Sequence, residues 1–108
     1  MVWANMTAAD LGSAIGRGKI NPVELLEDFL DAAAHSPHSA RIYARTSPAR
    51  AQGEAMAAAA RAKTGHRRGP LDGVPITWKD NIDSGGIATE GGSALLLHRT
   101  PMADADVL

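Results

Sequence analysis

Gly69-Pro70-Leu71-Asp72-Gly73-Val74-Pro75-Ile76-Thr77-Trp78-Lys79-Asp80-Asn81 reads as a turn, a short apolar run and a lysine at the point where the run ends. Val, Ile, Thr and Trp suit a pleated surface, and Gly69-Pro70 and Asp72-Gly73 are turn dipeptides, so the pattern predicts a strand over Val74 to Trp78. Pro75 assigns it to a first strand position or a sheet edge, because proline has no N–H for an interior ladder. At Lys79-Asp80-Asn81 the residues turn from apolar to charged, which sets an ammonium at a strand end beside a Gly-rich loop. A lone Lys-Asp pair is ordinary surface charge. A lysine that acts as a general base must spend time neutral. Moving its ordinary pKa of about 10.4 to between about 7 and 8 takes roughly three units, on the order of 4 kcal/mol, from burial or a second cation.

The run from Gly69 through Lys79-Asp80-Asn81-Ile82-Asp83, followed by Gly86-Ile87-Ala88-Thr89-Glu90-Gly91-Gly92-Ser93, resembles the amidase signature family. The shared order is G-P-L-x-G-[IV]-P, then K-D-N, then T-x-x-G-S. In that family the K-D-N lysine belongs to a Ser-Ser-Lys triad, with one serine in a cis peptide and the other as nucleophile. The resemblance therefore implies that Lys79 is the triad lysine, taking a proton from the bridging serine and returning it to the leaving amine. It further implies an α/β fold, a mixed sheet covered by helices, to which this chain contributes an N-terminal part. Asp80 and Asn81 would order the loop and the lysine, and Thr89 and Ser93 fall on the T-x-x-G-S positions. Ser93 is not the family's acylated serine. Many members carry a second threonine where this chain has Glu90, and a different small residue at Gly91.

The family's catalytic serines lie in a Gly-Ser-rich segment downstream of the lysine motif, and no such run occurs here. The expectation is an N-terminal portion of an amidase, split into a helical region over 1–66 and the lysine-motif strand and loop over 67–108. By itself the chain is expected to release no amine or ammonia from amide substrates. The implied partners are a small-molecule amide substrate and the remainder of the amidase core, with a homodimer left open. No metal and no organic cofactor is implied. Two other readings stand beside this one: an A-type subunit of an amidotransferase that forms a tRNA-linked amide, and a noncatalytic remnant used for binding or oligomerisation.

Composition narrows the field. Acidic and basic residues nearly cancel, with a formal net charge of −1, so there is no electrostatic footprint for direct nucleic-acid binding or an anionic membrane. Cysteine is absent, which removes disulfides, thiolate nucleophiles and zinc ribbons. The opening residues from Met1 to Met6 show neither a basic leader nor an apolar core, and no run approaches a membrane span, so a cytoplasmic setting is expected. Aromatics are limited to Trp3, Phe29, Tyr43 and Trp78, and much of the apolar content is alanine, so a core built from these residues is thin.

The first two-thirds of the chain carries helix signals. Thr7 and Asp10 have capping-box spacing, Leu11 and Ile15 form one stripe, and Gly16-Arg17-Gly18 is the stop. Asn21-Pro22 opens a second helix with Leu26, Phe29, Leu30 and Ala33 on its apolar face and Glu24, Glu27, Asp28 and Asp31 in solvent. Ala40 to Thr46, with Ile42 and Tyr43, reads as a short strand. Ser47-Pro48 opens a third helix that runs to about Lys63 and stops at Gly65, with Met56 and the alanines packing and Arg50, Glu54, Arg61 and Lys63 solvated. Pro37 interrupts His35 and His38, which removes helical ligand spacing, and His66-Arg67-Arg68 is too short a basic cluster for nucleic acid.

Overall fold

The computed structural model describes residues 3–108; Met1 and Val2, where the reading of the opening residues begins, lie outside the described residues. The element order is α1 (Ala8–Gly16), α2 (Pro22–His35), α3 (Ser39–Ile42) and α4 (Pro48–Thr64), with one turn of 3-10 helix at Ala94–Leu96. Contacts divide the chain into two compact units, one ending at Pro75 and the other running Ile76–Leu108.

Helix boundaries follow local chemistry. The Thr7 hydroxyl oxygen accepts the Asp10 N–H at 3.1 Å while the Asp10 carboxylate faces the Thr7 N–H, which completes the capping box of α1. The helix ends because Gly18 sits at φ +70°, where an L side chain is strained. There the Gly18 N–H reaches the Ile15 carbonyl and the Lys19 N–H the Ala14 carbonyl. Asn21 Oδ1 accepts the Val23 N–H at 2.9 Å and Pro22 occupies the first turn of α2. α4 stops at Gly65, whose φ is +73°. Its N-terminus differs from expectation: the Ser47 side chain makes no capping hydrogen bond, and Pro48 starts the helix alone.

The first unit is built around Leu11, Ala14, Ile15, Ile20 and Leu25, with Trp3, Met6, Phe29, Ala62 and Val74 packed against them. Leu25 and Ile15 are fully buried, each worth roughly 1.5–3 kcal/mol of transfer free energy. α2 packs against α4, whose buried residues are Ala55 and Ala58. Met56 does not join this face. It is 65% exposed, about 100° round the helix from the buried Ala55.

Both expected strands are corrected. Ala40 to Thr46 is not a strand: α3 covers its first residues, with the Arg41 N–H on His38 O and the Tyr43 N–H on Ser39 O. The Ser39 hydroxyl donates to the Ala33 carbonyl in the last turns of α2, and Ser36 Oγ accepts the His38 N–H. These short-range bonds fold the segment back and outcompete its β propensity. Val74 to Trp78 has no regular secondary structure, with Ile76 and Trp78 60% and 45% exposed. A strand exists through its ladder with a neighbour, and among the described residues no strand is present to pair with it. The expected mixed sheet of an α/β fold is therefore not formed among these residues, which are helices and turns. No helix among them is long and apolar enough to cross a membrane.

Two glycines of the helices give opposite predictions. A methyl on Gly12 would run into the Pro70 carbonyl oxygen, whereas one on Gly53, within α4, meets nothing within 4 Å. Gly12→Ala is expected to destabilise the protein by roughly 1–3 kcal/mol. Gly53→Ala is expected to stabilise it by roughly 0.5–1 kcal/mol, and denaturant titration of the two variants measures both signs.

Candidate functional site

The turn that leads to the lysine segment is held by one carboxylate. Asp72 accepts Arg61 Nε at 2.8 Å, Arg61 Nη2 at 2.7 Å and the Arg68 N–H at 3.0 Å, and its side chain is 9% exposed. Arg61 is therefore a structural partner of the turn rather than a solvated residue of α4. Arg67 adds Nη2 donation to the Pro70 and Asp72 carbonyls. The Arg61 hydrogen bonds, followed by the Arg68 N–H and the nearby guanidinium charges, bring the Asp72 pKa down to about 2 against the resistance of burial.

Beyond Pro75 the second unit carries the residues singled out from sequence. Lys79 is exposed and follows the unpaired Val74–Trp78 stretch; its carbonyl accepts the Ile82 N–H at 3.1 Å. Asp80 ties the segment to the glycine loop, because its carbonyl accepts the Gly91 N–H at 2.8 Å and its Oδ1 faces the Glu90 N–H at 3.4 Å. Asn81 is exposed. Lysine motif and glycine loop are thus hydrogen-bonded neighbours, and Gly91 and Gly92 turn the loop at φ +58° and +67°.

Thr89 is the buried polar residue of the loop, 4% exposed, and its groups are used: the hydroxyl donates to Ile87 O and accepts the Ser84 N–H, while its N–H reaches Arg99 O at 2.9 Å. Ser93 caps the 3-10 turn, its Oγ accepting the Leu95 N–H at 3.3 Å. Glu90 accepts the His98 N–H at 2.6 Å, and His98 itself adopts φ +65°.

Sequence reading missed Asp83 and Arg99. Arg99 Nη1 and Nη2 reach Asp83 Oδ1 and Oδ2 at 2.7 and 3.0 Å, and Nη1 also faces Thr89 O at 3.4 Å. Arg99 lowers the Asp83 pKa by its hydrogen bonds first and its charge second. A separation of sixteen residues in the chain hides this pair from any short motif, and an arginine in a loop carries no periodic signal.

Among the described residues no group of three or more His, Cys, Asp or Glu side chains is arranged to hold a metal ion. His35 bonds through Nδ1 to the Asp31 carbonyl on its own helix. A shallow cavity of about 300 Å³ in the first unit is lined by Leu30, Ala33, Tyr43 and Arg45 among others, so the expected apolar face of α2 is only partly covered.

The sequence model of the family described as Amidase matches residues 24–108. The A-type subunit of the glutamyl-tRNA(Gln) amidotransferase of Chloroflexus aurantiacus is 34% identical over 104 residues, 96% of this chain and 21% of the relative. The corresponding mitochondrial protein of Canis lupus familiaris is 32% identical over 102 residues, 94% of this chain and 19% of the relative. That of Thermobifida fusca is 32% identical over 91 residues, 84% and 18%. The chain thus spans about a fifth of the length of the curated relatives it matches. No solved structure matches.

The depressed Asp72 pKa has a signed consequence. Its folded value lies below the ordinary 3.8, so the Arg61 interaction contributes its full stability above that pH and loses it as pH falls from 3.8 towards 2. Asp72→Asn is expected to lower stability at neutral pH by roughly 1–3 kcal/mol. Thermal melts through the acid range should show the parent protein losing more stability than the variant over that interval.

Proposed function

This chain belongs to the amidase family, and we propose that it is the N-terminal portion of an A-type amidotransferase subunit, with Lys79 as the base that frees nitrogen from a carboxylic amide. The single observation that carries the reading is similarity to glutamyl-tRNA(Gln) amidotransferase subunits over 96% of the chain, a span that takes in the Lys79 motif. It favours this reading over the stand-alone amidase expected from the motif.

In the proposed chemistry a neutral Lys79 amine takes a proton from a bridging serine, which in turn deprotonates the nucleophilic serine; both serines lie outside these residues. The serine oxygen attacks the amide carbonyl, the C–N bond breaks, and the proton passes back through the bridging serine to the leaving nitrogen. Water then releases the acid from the acyl-serine. The freed ammonia is the nitrogen source for the amide formed on the charged tRNA. Lys79 is exposed among the described residues, so its enclosure, and the lowered basicity a neutral lysine needs, would come from the remainder of the protein. The near balance of charge supports tRNA contact elsewhere than on this chain.

The experiment uses the full-length protein with its partner subunits, glutamyl-tRNA(Gln) and a carboxylic amide donor. Lys79→Ala is expected to reduce amide cleavage by at least about 10³-fold. Lys79→Arg should be equally inactive, since a guanidinium keeps the charge but cannot give up its proton. Activity surviving in Lys79→Ala removes the base assignment. Efficient turnover of small amides by the protein alone, with no amide formed on tRNA, replaces the amidotransferase reading by that of a stand-alone amidase.

A further inference from the structure

Every buried hydrophobic residue of the described chain belongs to the first unit; the second buries Thr89, a polar group. Directional bonds therefore carry the conformation around Lys79. They form a connected path. Gly91 is held on the Asp80 carbonyl next to Lys79, Thr89 is held on Arg99 by its N–H at 2.9 Å, and Glu90 is held on the His98 N–H. Arg99 closes the path, gripping Asp83 with both Nη atoms at 2.7 and 3.0 Å while Nη1 also faces the Thr89 carbonyl. One guanidinium thus touches the chain just after the lysine motif and again inside the glycine loop.

We infer that Arg99, paired with Asp83, is a positioning residue that holds the 84–92 loop on the lysine segment and so sets the placement of Lys79. The inference rests on the reading of Lys79 as the base. The pair's exposure separates positioning from simple stabilisation. Its side chains are 42% and 36% exposed, and ion pairs at that exposure contribute little to global stability. A planar fork on a carboxylate fixes direction as well as distance, which a lysine in the same place does not. Loss of the pair should therefore be read in turnover more than in melting.

The test is made in the full-length protein under the amide-cleavage assay, with Arg99→Gln, Arg99→Lys and Asp83→Asn compared and the folded fraction of each measured alongside. The expected result is a fall in kcat of about 10- to 100-fold with KM held within about threefold, a displaced acid limb in the pH profile of kcat/KM, and partial recovery in Arg99→Lys. An unchanged kcat overturns the inference, as does a loss that tracks the folded fraction with an unmoved pH profile. Should Arg99→Gln fail to fold, Arg99→Lys and Asp83→Asn decide by the same criteria. Lys79→Ala is the parallel control. If it retains activity, the base reading fails and takes this inference with it; if it is inactive while the Arg99 and Asp83 variants match the parent, only the positioning role fails.

Discussion

The Asp72 carboxylate is the joint on which the first unit closes. It collects two donors from Arg61 at the end of α4 and one from the Arg68 backbone, in a turn whose Pro70 carbonyl lies against Gly12 of α1 and whose Gly73 lies against Pro22 of α2. Three helices thus meet a single turn. Two of the approaches require residues without a side chain, and the third requires a charge. Arg61 and Arg67 are both drawn to this turn, and the anion between them relieves what would otherwise be repulsion between cations. Arg67 Nε is buried with no hydrogen-bond partner among the described residues, while its Nη2 serves the turn carbonyls. From this joint the chain passes through Pro75 into the segment that carries Lys79.

The second unit obeys a different rule. Leu95, Leu97, Met102 and Val107 are 95%, 61%, 101% and 65% exposed, so apolar burial among these residues does not organise it. Backbone bonds do: Gly86 to Pro101, Thr89 to Arg99, Gly91 to Asp80 and Ala105 to Asp83. Such bonds are individually modest but directional, so they fix the path of the chain without a buried apolar core. The match to the amidase family spans residues 24–108 and so takes in both the lysine segment and the glycine loop.

Local signals were readable wherever one or two neighbouring residues decide the outcome. The capping box at Thr7 and Asp10, the Asn21 cap, and the glycine stops at Gly18 and Gly65 are bonds within a few residues of their donors. The same logic erred where a competing partner lay further off. Ser47 has the identity of a cap without its bond, and Ala40 to Ile42 lie in a helical turn whose Ser39 bonds back to α2. Leu25, the most deeply buried leucine, lies one position round the helix from the stripe that starts at Leu26.

The order of amino acids alone determined where α1, α2 and α4 start, the glycine stops that follow α1 and α4, and the family, because these depend on short-range bonding and on residue identities in sequence order. Tertiary structure decided which charges act as structure. Arg61 with Asp72 and Arg99 with Asp83 are pairs separated by eleven and sixteen positions, and nothing in a linear pattern distinguishes them from solvated charge. It also decided that Val74 to Trp78 is no strand among these residues, because a ladder is a property of two segments and one segment's composition can only make it eligible.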